Sequence, residues 1–493
     1  MSEAAQSKSS GKKKDIIYYI HVVIIFFLMF GFPQMGPYGP LSEMGMHALG
    51  IFISLLWAWT FVDFIWPSIL AMVAVGLTGF MTIDESFASG FGNATTLNIM
   101  FIFGLAAFMT ASGICKTVAY WFVSRKSCIG KPYVFVTYLL FACFILGGTA
   151  GAVPTYIMAW AIIYEIAGVT GFQMRDSFIA ALLVGVVFSA ILGTNVFPFR
   201  PFAAIALNQA RQIAGVECSF IDWAIPNLVA CVVTILLYIL FIKFILRPNV
   251  DKLRTNEDIF AHFRTGFSIT GDQKVAIGLM LCIIIFASVP SFLPAGSLPK
   301  EFMSKFTIGP IIATLMALFH AIHKNGQTIM DFAGSMTKGV EWPTVIMIAS
   351  SMPVAEMIES PDSGVSALIN EFLTVFLGDY GPFMIAVLFV LFSTILTQVA
   401  HNLVLMIVLT PILLNLSISM GFAPMPALMF LAFGCSMGLA TPGASVMGAM
   451  IYANRDWITA KQAAVYTSTA VVASIIAMVA TGVPLATVMG AGM

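Results

Sequence analysis

Two apolar stretches, 132–166 and 382–417, constrain this chain more than any other feature. Each runs for about 35 residues, whereas a helix crosses a bilayer in roughly 17–25. Each is too long for one crossing and has no polar loop to divide it into two. Their middles are small or polar, Gly147 to Thr155 in the first and Thr397 to Asn402 in the second. A helix-turn-helix that enters and leaves on one side fits both, provided that protein or a water-filled cavity covers the turn. Around them lie spans at 16–32, 45–62, 64–80, 96–113, 177–193 continuing to 210, 225–246, 275–290, 308–320, 343–358, 426–438 continuing to 452, and 463–488. The expectation is an all-α polytopic membrane protein of about 11 transmembrane helices plus two re-entrant helical hairpins.

Charge agrees with a lipid environment. Only 9% of the residues are charged, against about 25% in soluble domains, whose surfaces must face water. The net charge is +0, so no attraction to nucleic acid is implied. With the N-terminus in the cytoplasm and both long stretches re-entrant, nineteen of the 23 Lys and Arg fall in the tail or on the cytoplasmic side. They are Lys8, Lys12 to Lys14, Lys116, Arg125, Lys126, Lys131, Arg175, Lys243, Arg247, Lys252, Arg254, Arg264, Lys274, Lys324, Lys338, Arg455 and Lys461. Arg211, Lys300 and Lys305 fall outside, and Arg200 is left within the membrane region. This is the asymmetry of the positive-inside rule; a single crossing by either stretch would invert every later loop and destroy it. The C-terminus then lies outside. The basic tail and first apolar run superficially resemble a signal peptide, but the run is about long enough to span and no small-residue cleavage site follows. The seven cysteines have no metal-type spacing and read as small core residues.

The two halves repeat. Ile99-Met100 and Ile346-Met347, the hairpin starts Pro132 and Pro382, the midpoints Gly151 and His401, and the helix breaks Gly193-Thr194-Asn195 and Ala440-Thr441-Pro442-Gly443 recur at offsets of 247 to 250 residues. The organisation is a cytoplasmic basic tail (1–15), a first repeat (16–246) with hairpin 132–166 and broken helix 177–210, a cytoplasmic linker (247–274), and a second repeat (275–493) with hairpin 382–417 and broken helix 426–452. One hairpin opens to the cytoplasm and the other outside, so the repeat is inverted. Interrupted helices at matching positions of inverted repeats point to a transporter's midplane binding site.

At such a break, freed carbonyls can coordinate a small cation and half-helix N-termini face anions. A hairpin tip supplies the same groups from the other side. The candidate substrate contacts are therefore the tip and break residues Val153, Pro154, Thr155, Thr194, Asn195, Arg200, His401, Asn402, Thr441 and Pro442. The second tip and break offer a hydroxyl, an amide oxygen and carbonyls, hard ligands suited to Na⁺; the first tip is almost bare of side-chain ligands.

Two re-entrant hairpins, each paired with a helix broken at a Thr-Pro-Pro-like sequence, resemble the divalent anion:sodium symporter family of the ion transporter superfamily. The resemblance covers nearly the whole chain by layout. That family carries Ser-Asn-Thr at its hairpin tips, binding Na⁺ and substrate carboxylates. Ala440-Thr441-Pro442-Gly443-Ala444 is close to its second broken-helix motif. His401-Asn402-Leu403 stands at the second tip and keeps the Asn, while Gly151-Ala152-Val153 at the first keeps none of the three. The resemblance implies a Na⁺ site of Thr397, Ala400, Asn402 and Ala440, with no other cofactor. It also implies transport of a small organic anion by Na⁺ symport or anion exchange. It further implies a homodimer in a bacterial inner membrane, whose hairpin-bearing domain moves as an elevator against a scaffold at 45–80, 225–246 and 275–320.

Arg200 has two readings. It snorkels to the interface or pairs with a carboxylate such as Glu217, or it faces the cavity, binds an anion through its planar fork and replaces a lost Na⁺ near the first tip. His401 either senses pH or donates to substrate, or packs against a backbone carbonyl. Glu165, Glu341 and Glu356 read as interfacial, His21 as structural, and Asp63 as a cap for the next helix. Thr95 to Asn98 and Ser350-Ser351 are candidates for the cavity lining. A channel using re-entrant loops is the alternative class. An enzyme is not expected, for the spans hold no paired catalytic carboxylates, HExxH or nucleophile motif. No GxxxxGK[ST] run points to ATP.

Overall fold

Prolines and hydroxyl side chains set the helix starts. Proline in the first turn, where its missing N–H is not needed, opens Trp66–Leu77, Pro132–Ala150, Pro201–Ile213, Trp342–Glu359, Pro382–Leu396 and Met425–Ser436. Thr82, Thr270 and Thr459 close capping boxes with Glu85, Gln273 and Gln462. The computed structural model describes residues 15–114, 117–118, 121, 125–128, 130–254, 269–294, 296–306, 308–324, 326–365, 367–368, 371 and 380–490. Lys8, Lys12 to Lys14, Cys115, Lys116 and Arg264 lie outside them.

In chain order the helices are α1 (Asp15–Met35), α2 (Glu43–Phe61), α3 (Trp66–Leu77), α4 (Ile83–Phe91), α5 (Ala94–Ala111), α6 (Pro132–Ala150), α7 (Ala152–Thr170), α8 (Ser177–Val196), α9 (Pro201–Ile213) and α10 (Phe220–Leu246). Then follow α11 (Gly271–Ser288), α12 (Leu298–Ser304), α13 (Ile308–Ala321), α14 (Phe332–Gly339), α15 (Trp342–Glu359), α16 (Pro382–Leu396), α17 (Asn402–Met420), α18 (Met425–Ser436), α19 (Val446–Ala453) and α20 (Ala460–Val488). Among the described residues the one sheet pairs His323–Lys324 with Gln327–Thr328. Ten helices in the described residues, with α8 and α9 taken as one broken helix, are long and apolar enough to cross a membrane. The chain is an all-α polytopic membrane protein.

The chain divides into two units. The first holds the described parts of Met1–Leu97 and Glu341–Asp379, with Ile418–Met420. In it α15 packs on α2, α3 and α4. The close approach is made at Gly90, where an added Cβ would lie 2.5 Å from the Ala349 carbonyl oxygen. Ser89 donates to Glu356 (2.7 Å), Trp57 donates to His21 Nδ1 (3.2 Å), and Asp63 accepts the Trp66 N–H (3.4 Å) as a cap.

The second unit holds Asn98–Val340, Tyr380–Ser417 and Gly421–Met493. Its centre is α8, apolar on every side and buried at all but one of the positions from Phe178 to Val196, as a helix without a polar face must be. α6 and α7 form one helical hairpin and pack on α8. α16 and α17 flank the turn at 397–401, and α16 packs against α18. α10 runs against α8 and α20, and Tyr238 Oη donates to the Ala181 carbonyl (3.0 Å). The 225–246 segment expected in a separate scaffold thus packs into the hairpin-bearing unit. The same unit takes 275–320, and 45–80 falls in the other.

The order of two helices joined by a short turn, a broken helix and a span occurs twice, at α6–α10 and at α16–α20. The first break differs from the sequence expectation. α8 continues through Gly193-Thr194-Asn195 to Val196, and the chain turns at 197–200. Pro198 and Pro201 explain the position, since each removes a backbone donor and its ring clashes with the preceding turn. Gly193 instead permits contact: a Cβ there would lie 1.9 Å from the Phe144 carbonyl oxygen. Among the cysteines, Cys128, Cys143, Cys231 and Cys435 are buried as expected, Cys218 is half-buried, and Cys282 is exposed on α11.

Candidate functional site

The first lobe joins the α6–α7 turn to the α8–α9 break. Gly151 makes the turn at φ 102°, a conformation that side chains with a Cβ rarely adopt. Ahead of it, Gly148 lies so close to Phe197 and the Gly193 carbonyl that a Cβ would meet them at 2.6 and 2.8 Å. Arg200 precedes α9, is 4% exposed, and donates from Nε and Nη2 to the Gly148 carbonyl at 2.8 and 2.6 Å. The guanidinium is neither at the surface nor on Glu217, which pairs with Arg211 at 3.4 Å. A buried fixed charge thus stands where hairpin and break meet. Thr155 donates back to the Gly151 carbonyl (2.7 Å) and Thr194 to Ile191 (2.7 Å), while Val153 and Pro154 are half-buried.

The second lobe joins the turn at 397–401 to the break at 437–445, which contains the expected Ala440-Thr441-Pro442-Gly443. The two segments are stitched together. Thr397 donates to the Cys435 carbonyl (3.0 Å), Thr441 donates to the Gln398 carbonyl, and the Asn402 N–H donates to Ala444 (3.2 Å). The Ala440 carbonyl accepts Tyr452 Oη (2.6 Å), and Ser445 donates to Gly438 (2.6 Å). Asn402 is buried, with Oδ1 accepting the Leu403 N–H (2.8 Å); Ala400 and His401 are half-buried, and Pro442 is exposed.

Contacts between the repeats link the lobes. Asn195 Nδ2 donates to Ser436 Oγ (2.8 Å), and Trp223 Nε1 holds the Asn195 carbonyl (2.9 Å). Tyr156 Oη donates to Met450 Sδ (2.8 Å), and Asn454 Nδ2 donates to Tyr164 Oη (2.8 Å). Ser436 and Gln398 were not singled out from the sequence; the signal of Ser436 is a lone polar residue beside a helix break, and that of Gln398 its place in the polar tip segment Thr397 to Asn402.

A cavity of about 740 Å³ opens against one face of α9, lined by Ala204, Leu207, Asn208 and Arg211, and reaches Pro198 and Asn98. Asn98 borders this cavity and accepts the Gly309 N–H (2.9 Å), while Ser350 and Ser351 bond back to their own helix. Cys218 lies on the cavity wall, outside the spans, and burial, aided by the negative charge of Asp222, pushes its thiol up to about 12. No cluster of three metal-ligating side chains exists among the described residues.

Proline-broken helices meeting the turns at 151 and 397–401, with polar groups and a buried guanidinium where they meet, sit within an apolar membrane bundle, and the sequence comparisons make that bundle a transporter. The sequence pattern of the citrate transporter family, CitMHS, matches residues 54–403, and the chain belongs to that family. Relatives agree along most of the length. The sodium-dependent dicarboxylate transporter SdcS of Staphylococcus saprophyticus is 22% identical over 433 residues, 84% of this chain and 80% of SdcS. An uncharacterized transporter of Haemophilus influenzae is 21% identical over 92% of each chain. The crystal structure of the YdaH transporter of Alcanivorax borkumensis has the same fold, with a TM-score of 0.57 at 12% identity over 91% of this chain and 98% of that one.

Proposed function

We propose that this protein carries a small organic carboxylate across a bacterial inner membrane by secondary active transport, binding it between the hairpin tips and the helix breaks. The observation that carries the reading is Arg200, buried and held on the Gly148 carbonyl where the first tip meets the first break. A guanidinium held at this junction carries a fixed positive charge, and its planar fork suits binding an anion. The family and SdcS support a carboxylate as that anion. In this reading the hairpins are re-entrant and the N-terminus is cytoplasmic. A homodimer carries the site across by an elevator movement, with Val153, Pro154, Thr155, Thr194, Asn195, His401, Asn402, Thr441 and Pro442 around the substrate.

Anion exchange is the favoured coupling, because a fixed charge at the first lobe does the work of a cation there. Na⁺ symport is the second reading, favoured by the dependence in the name of SdcS. Thr397, Ala400, Asn402 and Ala440 would be its ligands. The donor chemistry fits in part: Thr397 keeps an acceptor oxygen while its hydroxyl hydrogen is engaged, but the Ala440 carbonyl already accepts Tyr452. The test is counterflow in proteoliposomes with succinate, malate and citrate, with and without Na⁺, after a thermal-shift screen of the same acids and of neutral compounds of similar size. A ligand at 100 times its Kd adds about 2.7 kcal/mol of stability. Saturable counterflow without Na⁺ supports exchange, and strict Na⁺ dependence supports symport. Stabilisation by neutral compounds alone overturns the carboxylate reading, and large single-channel currents overturn transport in favour of a channel.

A further inference from the structure

The second break keeps its shape through one side chain of the neighbouring hairpin. Gln398 Oε1 accepts the successive N–H groups of Leu439 (3.1 Å) and Ala440 (2.8 Å). Its Nε2 donates to the carbonyls of Met437 (2.9 Å) and Thr394 (2.7 Å). Its own carbonyl accepts the Thr441 hydroxyl. Two consecutive N–H groups aimed at one oxygen form a small anion-binding concavity, and here an uncharged amide oxygen fills it. A carboxamide alone meets every demand of the place. A carboxylate takes both N–H groups but has no hydrogen for the two carbonyls, and adds negative charge beside Thr441 and Asn402. An aliphatic side chain leaves donors and acceptors without partners where water is scarce.

We infer that Gln398 is a positioning residue of the second lobe: it fixes the path of 437–445, joins that segment to the hairpin so that Thr441 and Asn402 are presented together, and keeps the lobe neutral toward an anion. The inference deepens the carboxylate reading above and rests on it. It acts through Thr441, Asn402 and the break backbone rather than by touching the substrate.

The experiment uses full-length protein carrying Gln398→Leu or Gln398→Glu. For Gln398→Leu the expected result is a rise of at least tenfold in KM for whichever of succinate, malate or citrate the wild type carries. Amide hydrogen exchange in peptides spanning 437–445 should be at least tenfold faster, and unchanged in peptides spanning 132–170. An unchanged KM with only less folded protein, or unchanged exchange at 437–445, overturns the inference. For Gln398→Glu, the KM ratio to wild type should be large at pH 8 and fall to within threefold at pH 3.5, below the ordinary glutamate pKa of about 4.3, where the introduced carboxyl is protonated and again offers a donor and an acceptor. His401, Tyr452 and Cys435, the titratable groups around the break, are present in both proteins and cancel in that ratio. A ratio that stays flat with pH overturns the inference, and this arm stands alone if Gln398→Leu does not fold. If the wild type binds none of the three acids, the carboxylate reading fails, and the exchange measurement still decides the positioning role.

Discussion

Replacing Arg200 with Gln separates what this residue does for stability from what it does for transport. The substitution removes two hydrogen bonds from an ionised donor to the Gly148 carbonyl, at 2.8 and 2.6 Å. Bonds to charged groups contribute about 1.5–3 kcal/mol each, a gross loss of about 3–6. The same change relieves a buried charge whose cost is about 2.5–3.5 kcal/mol. The net change is therefore at most about 3.5 kcal/mol of destabilisation and close to zero at the low end, small enough for a protein with an ordinary stability of about 5–15 kcal/mol to remain folded. Transport has no such compensation, since the neutral amide offers a carboxylate no charge. A loss of at least 100-fold in uptake is expected, about 2.7 kcal/mol of lost anion stabilisation at 1.4 kcal/mol per factor of ten. Arg200→Lys keeps the charge but not the fork, and should recover part of the uptake. The assay is uptake into proteoliposomes alongside thermal unfolding of the same preparations. Near-normal uptake by Arg200→Gln, with a lowered melting temperature, would show Arg200 to be a brace for the hairpin and refute the reasoning.

Three other outcomes follow from the geometry. Gly193→Ala places a methyl 1.9 Å from the Phe144 carbonyl oxygen and should cost about 1–3 kcal/mol by overpacking; an unchanged melting temperature in detergent contradicts the close packing of α6 on α8. A double-mutant cycle on Asn195→Ala and Ser436→Ala should give a coupling of about 0.6 kcal/mol, at most about 1.7, and zero coupling would mean that their hydrogen bond does not join the repeats. Burial and Asp222 disfavour the Cys218 thiolate and push its pKa up to about 12. Its maleimide labelling should therefore rise about tenfold per pH unit up to about pH 11, and a plateau near pH 9.5, expected for a thiol of pKa about 8.5, would exclude that environment.

Much of the fold was legible because its signals are local. Spans follow from runs of apolar residues, the turns at Gly151 and 397–401 from small and polar residues in the middle of such runs, and the second break from Pro442-Gly443. The first break was misplaced by a few residues for a physical reason. Gly193 is read from sequence as a weak point in a helix, but a glycine also lets two helices touch, and only the position of Phe144 distinguishes the two uses. Pro198 and Pro201, two and five residues after Val196, were the stronger local signal.

The sequence by itself determined a lipid-embedded, all-α chain whose apolar runs turn or break at glycines, polar residues and prolines, and it marked Arg200 as out of place among apolar residues. Tertiary structure decided what those parts do for each other. It put the Arg200 guanidinium on a carbonyl 52 residues away, tied Asn195 to Ser436 across 241 residues, and set the Gln398 amide into a break about 40 residues further on. Periodicity and spacing report the face on which a residue lies. They do not report which buried polar group on another helix lies opposite it, and in an apolar interior that pairing fixes the shape of the site.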